Sequence, residues 1–160
     1  MDLNKIDLIK WFEEGCKPKE LFRIGTEHEK FVYKTKNLQP VSYDEQSGIK
    51  NILKSLVQFG WQEVYEEGYL IALKKDKQSI TLEPGGQLEL SGAPLKNIHQ
   101  TCNEVNEHLK QVKIVGNELH VGFLGIGARI EGKLASDLWM PKSRYKIMKE
   151  YMPKVGNLGL

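Results

Sequence analysis

Cysteine is scarce in this chain: only Cys16 and Cys102 occur in 160 residues. Two are too few for a disulfide framework, and neither forms a Cys-x-x-Cys pair. A cytoplasmic, reducing compartment is the expectation that follows. No apolar run approaches the roughly 20 residues that a membrane-spanning helix needs. The mixed acidic and basic start lacks the apolar segment of a signal peptide. An excess of one charge is missing too, since 23 Lys and Arg against 21 Asp and Glu leave a formal net charge of +2. There is no Lys/Arg stripe interleaved with aromatics, so neither nucleic acid nor a membrane is expected as a partner. The run Lys74-Lys75-Asp76-Lys77 reads as a solvated hairpin tip. No serine or cysteine sits in a nucleophile motif, which leaves a hydrolase triad unsupported. Internal repeats and low-complexity segments are absent.

What is present is an ordinary globular composition, 40% hydrophobic and 28% charged. The length fits one domain or a piece of a larger one. Residues 4–16 read as a short amphipathic helix with Ile6, Ile9, Trp11 and Phe12 near one face, stopped by Gly15 and Pro18. Residues 21–34 read as a strand. A helix over 48–59 carries Ile49, Ile52, Leu53 and Leu56 as its stripe and ends at Gly60. Short strands follow at 61–65, 70–73, 79–83 and 87–90, with turns at Glu67-Gly68, Asp76-Lys77 and Pro84-Gly85-Gly86. The longest helix runs from Pro94 to Leu109 or somewhat beyond. Its stripe is Leu95, Ile98, Cys102, Val105 and Leu109, which makes Cys102 a small buried hydrophobe. Residues 119–130 are a glycine-rich, strand-like run, and 143–151 a last helix broken by Pro153. Short connections make the strands antiparallel, and the order is α+β. The end at 155–160, in small and apolar residues, looks cut in mid-structure.

The chemistry concentrates in two segments. Side chains alternate faces along a strand, so Glu27 and Glu29 share a face about 6.5–7 Å apart, and Gln87 and Glu89 share one likewise. Glu83 and Glu89 flank the Pro-Gly-Gly turn. Like charges on one sheet face repel, and an oxygen-rich cluster suits Mg²⁺, Mn²⁺ or Ca²⁺. The alternative is that these glutamates face water or pair with lysines. Pro84-Gly85-Gly86 is either a tight turn alone or a place where backbone approaches a ligand. His28, on the opposite face, belongs to the core or a second layer. His99 and His108 fall on nearly the same face of the long helix, about 13 Å apart and too far for one metal. Lys142 and Arg144 surround a helix start with Ser143 as N-cap, which is either an anion site or a capped helix with solvated cations.

Four stretches together resemble glutamate–cysteine ligase of the plant and proteobacterial type: Arg23-Ile-Gly-Thr-Glu-His-Glu-Lys-Phe31, Leu82-Glu-Pro-Gly-Gly-Gln-Leu-Glu-Leu-Ser-Gly92, His99-Gln-Thr-Cys-Asn-Glu-Val-Asn106 and Met140-Pro-Lys-Ser-Arg-Tyr-Lys-Ile-Met148. The end, Tyr151 to Leu160, also looks like the family, so the resemblance spans essentially the whole chain. It implies a glutamine synthetase-like fold, in which a curved antiparallel sheet with flanking helices forms a funnel. It implies an ATP-dependent ligation of L-glutamate to L-cysteine through a γ-glutamyl phosphate, the first step of glutathione synthesis, with ATP and Mg²⁺ as cofactors. Carried over by resemblance, Glu27, Glu29, Glu83 and Glu89 hold metal. Gly85, Gly86 and Gln87 form the cofactor-binding turn, with Gln87 also a weaker metal candidate. Lys142 and Arg144 contact ATP phosphates or a substrate carboxylate. A homodimer is compatible with this reading. Cys102 matches a position that takes part in redox control in plant members, and it receives no role here. Members are typically much longer, so residues 1–160 are expected to be one N-terminal portion of the catalytic domain, inactive or nearly so alone. The competing reading is a non-catalytic nucleotide- or protein-binding remnant of such a ligase.

Overall fold

The computed structural model describes residues 3–129 and 138–156. Helix α1, Lys5–Gly15, starts at a capping box: the Asn4 side chain accepts from the backbone of Ile6 and Asp7, and Asp7 accepts from Asn4 N–H. It ends at Gly15 as the sequence predicts, but no residue of it is buried. Its apolar Ile6, Trp11 and Phe12 stay exposed. The predicted strand over 21–34 is shorter than expected. Strand β1 is Glu27–Lys34, preceded by a 3₁₀ turn at Lys19–Leu21 and a single bridge from Ile24 to Leu95.

Helix α2, Ile49–Leu56, runs into a 3₁₀ turn, Val57–Phe59, and stops at Gly60 with φ 85°. Its predicted stripe is its buried face: Ile49, Ile52, Leu53 and Leu56 are fully buried. Strands β2 (Gln62–Glu66), β3 (Tyr69–Lys75), β4 (Gln78–Leu82) and β5 (Leu88–Ser91) follow. Glu67 and Gly68, at φ 50° and 83°, make the two-residue β2–β3 turn whose backbone twist suits a hairpin. Helix α3 is Ile98–Leu119, strand β6 Val121–Leu124 and helix α4 Ser143–Val155.

Four expectations need correction. Helix α3 is ten residues longer than the Leu109 boundary and takes in Leu119, so the glycine-rich run contributes only the four residues of β6. Its buried face is Thr101, His108, Gln111, Val112, Val115 and Gly116. Ile98, Cys102 and Leu109 are exposed. The apolar periodicity misleads here because polar residues face inward, and Trp61 Nε1 donates to Gln111 Oε1 at 2.8 Å. His99 and His108 therefore lie on opposite sides: nine residues at 3.6 per turn make two and a half turns. Finally, α4 continues through Pro153, because in a last turn proline removes only one bond.

The six strands form one antiparallel sheet in the order β2-β3-β4-β5-β1-β6. One face carries Val32, Ile80, Leu82, Leu88 and Leu90, which pack against α2 and the second half of α3 in a single core. Burying each such side chain contributes about 1.5–3 kcal/mol. None of the helices among the described residues is long and apolar enough to cross a membrane. At the β1–β6 edge Gly122 stands opposite Tyr33, and a Cβ on Gly122 would fall among the atoms of the Tyr33 ring. Gly122→Val is expected to lower stability by roughly 1–3 kcal/mol. A urea midpoint equal to wild type would show that the ring gives way freely.

The core also holds a polar layer. Lys30 and His108 are each 2% exposed, and Lys30 Nζ donates to the His28 carbonyl at 2.9 Å. The two imidazoles meet edge to face, centroids 6.5 Å apart. Both nitrogens of His108, and Nδ1 of His28, are buried without a hydrogen-bond partner among the described residues.

Candidate functional site

The other face of the sheet is acidic. Odd-numbered residues of β1 point to it, beginning with Glu27 and Glu29. Glu29 is directly opposite Glu89 on β5, and Glu89 is opposite Thr81 on β4. One step further, Glu83 N–H donates to Gln87 O at 3.0 Å, which puts Glu83 and Gln87 side by side. Register alone thus brings Glu27, Glu29, Glu83, Gln87 and Glu89 to one surface.

Pro84-Gly85-Gly86 closes the β4–β5 hairpin. Gly86 N–H donates to Glu83 O at 2.9 Å, and Gly86 takes φ 83°. This is a three-residue loop whose last position needs a left-handed backbone, hence glycine. Glycine also allows close packing, since a Cβ on Gly86 would lie 3.3 Å from Met140 Cε. The turn is held from outside: Met140 N–H donates to Pro84 O at 3.1 Å, and Arg129 Nη2 to Gly85 O at 2.6 Å.

Within the row, Glu89 accepts from Ser91 Oγ at 2.8 Å and from Thr81 Oγ1 at 3.2 Å. The Glu83 carboxyl is pushed above the usual carboxylate range, first by burial and then by the Glu89 charge and a hydrogen bond shared with it. Arg144 stands beside Glu83, Nη2 to Oε1 3.7 Å, and its guanidinium lies 4.9 Å from the Tyr145 ring. Among the described residues no set of three or more acidic, His or Cys side chains is gathered into a metal cage. The carboxylates form a row. Mg²⁺ is usually held by one or two carboxylates, waters and substrate phosphates, and this all-oxygen row fits that manner of binding.

Lys142 does not stand in the row. It is 7% exposed, and its Nζ donates to Leu82 O at 2.8 Å. Tyr145 Oη donates to the same carbonyl at 2.5 Å. Pairing of β3 with β4 ends at Leu73–Ile80, so these two donors satisfy a carbonyl that β3 leaves unpaired. Burial, then the Arg144 charge, lowers the Lys142 pKa, while Glu83, Glu89 and Glu66 act the other way. The helix start is also not as expected. Lys142 is the cap position, and Ser143 is the first helical residue. Both Ser143 N–H, at 2.9 Å, and Ser143 Oγ donate to Glu66 Oε1, so a carboxylate already occupies the expected anion site.

Sequence reasoning missed Arg129, Tyr145 and Glu66. Tyr145 lies inside a quoted motif and could have been marked as the buried residue of α4. Arg129 and Glu66 reach the site only through tertiary contacts and leave no local signal.

Comparison with known proteins agrees with the resemblance. The model of Glutamate-cysteine ligase family 2 (GCS2) matches residues 23–160. The chain is 56% identical over 159 residues to glutamate–cysteine ligase A, chloroplastic, of Oryza sativa subsp. japonica, covering 99% of this chain and 32% of the relative. It is 53% identical over 158 residues to the chloroplastic enzyme of Medicago truncatula, 99% of this chain and 31% of the relative. With the chloroplastic enzyme of Arabidopsis thaliana it shares 52% over 159 residues, 99% and 30%. The chain therefore spans about a third of the length of these curated relatives. Their names also overturn the cytoplasmic expectation, since each is called chloroplastic. The physical reason is simple: two free cysteines report a reducing environment and carry no cellular address. A family match over most of the chain, identity above one half, and the register that puts the quoted acidic motifs on one face lead to one statement: this chain belongs to glutamate–cysteine ligase family 2.

Proposed function

We propose that the chain supplies the N-terminal portion of the catalytic domain of an ATP-dependent ligase. That ligase joins the γ-carboxylate of L-glutamate to the amine of L-cysteine, giving γ-glutamylcysteine, the first step of glutathione synthesis. A carboxylate oxygen attacks the terminal phosphorus of ATP and ADP leaves. The amine nitrogen then attacks the acyl carbon of the γ-glutamyl phosphate, phosphate leaves, and the nitrogen loses a proton. The observation that carries this reading is the acidic row with a guanidinium beside it on one sheet face.

Glu83 and Glu89 are the first candidates to hold Mg²⁺, with Glu27 and Glu29 further along the row. When bound, Mg²⁺ would neutralise phosphate charge, the main requirement of phosphoryl transfer. Arg144, exposed beside Glu83, would take a phosphate or substrate carboxylate. Lys142 would act from behind, fixing Leu82 and with it the direction of Glu83. Gly85 and Gly86 would let a nucleotide approach the turn, with Gln87 at its edge.

The uncovered apolar side of α1 fits a portion of a larger fold, because about two-thirds of the relatives' length lies outside this chain. The homodimer compatible with the sequence is the competing occupant of that side, and sedimentation of the full-length protein separates the two.

The test is Mg²⁺-dependent ADP release with glutamate, cysteine and ATP. It compares the 160-residue chain with the chain joined to the remaining two-thirds of the rice relative, with and without Glu83→Gln. Turnover is expected only in the joined protein with Glu83 intact. A joined protein that is silent and binds no Mg²⁺·ATP would favour the remnant reading. Comparable turnover by 160 residues alone would overturn the claim that they are a portion.

A further inference from the structure

The start of α4 grips the β4–β5 hairpin at two carbonyls. Met140 N–H donates to Pro84 O, while Lys142 Nζ and Tyr145 Oη share Leu82 O. Lys142 alone would satisfy that carbonyl. The Tyr145 hydroxyl does one thing more: it accepts from Arg144 Nη2 at 2.9 Å. A hydroxyl donates once and also accepts, so the two bonds are compatible. Burial holds the phenol above its ordinary value of 10, with the Arg144 bond acting the other way.

Helix geometry does not impose this contact, because residues i and i+1 do not face each other. Arg144 has to fold back over the Tyr145 ring, its guanidinium carbon 4.9 Å from the ring centre. Its approach to Glu83, at 3.7 Å and largely in solvent, is too long and too screened to fix a long side chain. Among the described residues the Tyr145 hydroxyl makes the one short hydrogen bond to this guanidinium. Leu82 directly precedes Glu83. Arg144, Tyr145, Leu82 and Glu83 therefore close a loop of contacts, which ties cation and carboxylate to one point of the backbone.

We propose that Tyr145 is a positioning residue of the ligase site: its hydroxyl holds Arg144 beside Glu83, so that cation and carboxylate meet the same polyphosphate in a fixed geometry. The inference rests on the ligase reading above. Without the hydroxyl, the guanidinium regains its rotamer freedom and has to be ordered by the ligand. That cost falls on binding and reaction more than on folding, because Lys142 still satisfies Leu82 O.

The test is Tyr145→Phe, which keeps the ring and its packing and deletes one oxygen. In the chain joined to the remaining two-thirds of the rice relative, kcat/KM for ATP is expected to fall at least about tenfold, since a misplacement of about 1 Å can cost about a hundredfold. Arg144→Gln supplies the discriminating background. There Tyr145→Phe should cost less than about twofold further, because its effect runs through the guanidinium. A purely structural hydroxyl would cost the same in both backgrounds. A second readout needs neither metal nor nucleotide. Arg23, Arg129 and Arg144 are the only arginines in the sequence, so guanidinium NMR of the 160-residue chain can follow Arg144 singly. Resolved Nη protons are expected for Arg144 in the wild type, and one averaged signal in Tyr145→Phe. Averaged protons already in the wild type, equal losses in both backgrounds, or an unchanged kcat/KM in Tyr145→Phe would overturn the proposal. A joined wild-type protein that neither turns over nor binds Mg²⁺·ATP, with its Arg144 protons resolved, would overturn the ligase reading and the positioning role with it, while the contact itself stands.

Discussion

Replacing His108 by leucine is expected to flatten the acid side of the stability curve and to raise stability throughout it. His108 is held well below the usual imidazole value of 6.5, at about 3, chiefly by burial, with the charge of Lys30 and then His28 adding to it. The folded protein keeps this ring neutral, while the unfolded chain takes up a proton near pH 6.5. Stability from His108 is therefore fully present above pH 6.5 and is lost as pH falls from there toward 3. At 1.36 kcal/mol per pH unit the loss is about 2 kcal/mol between pH 6.5 and 5, and roughly 4–5 kcal/mol once pH reaches 3. His28, also lowered by burial and by Lys30, acts in the same direction. Glu45 and Glu66 sit below their ordinary 4.5, so they act only at lower pH. Lys30, lowered to about 8 by burial, takes up its proton mainly above pH 7 and adds little to the slope between pH 6 and 5. Glu83 opposes the trend, because its raised pKa favours folding as pH falls. Leucine removes the titrating ring and two buried nitrogens that have no partner among the described residues. Urea midpoints at pH 7, 6 and 5 check this. A wild-type slope that survives in His108→Leu would place the proton uptake elsewhere.

The acidic row was legible because strand geometry has a fixed period of two. Glu27, Glu29, Gln87 and Glu89 needed only to lie on neighbouring strands, and the β1–β5 register puts them there. The α2 stripe was legible for the same kind of reason: apolar residues at helical spacing met a large apolar partner. The phase of helix α3 is hidden from apolar periodicity because half of its buried face is polar, Thr101, His108 and Gln111, with Gln111 accepting from Trp61 across the core. Sequence periodicity sees hydrophobicity and is blind to such pairs. The apolar face of α1 was visible in the sequence, yet nothing among the described residues covers it. Lys142 was marked as a site residue by its motif. Its burial follows from a carbonyl left unpaired where the pairing of β3 with β4 stops, a fact of sheet topology that no local pattern carries. Arg129 depends on a fold-back across the Gly85 turn and was invisible for the same reason.

The acidic row makes a prediction with two opposite signs. Glu83→Gln is expected to stabilise the metal-free protein at pH 7 and to weaken Mg²⁺·ATP binding. Burial first, and Glu89 second, disfavour the ionised Glu83 carboxyl. Its stabilising contribution is complete below pH 4.5 and disappears as pH rises through its raised folded value. At pH 7 the charged group therefore costs stability, and an amide of the same shape removes that cost while still donating a hydrogen bond to Glu89. The ion pair with Arg144 is lost, but at 3.7 Å and with the guanidinium mostly in solvent it contributes little. A bound cation reverses the balance, since two neighbouring carboxylates then share positive charge. Loss of even an outer-shell partner commonly costs a metal site about tenfold to a hundredfold in affinity, and a direct ligand should cost at least that. Glu89→Gln should behave alike, with a smaller gain in stability because Thr81 and Ser91 also support its carboxylate. Urea midpoints without metal and calorimetric titration with Mg²⁺·ATP read the two signs independently. If midpoint and affinity fall together, the pair is a structural element of the hairpin; if they move apart, the repulsion between Glu83 and Glu89 is what the protein tolerates in order to bind a cation.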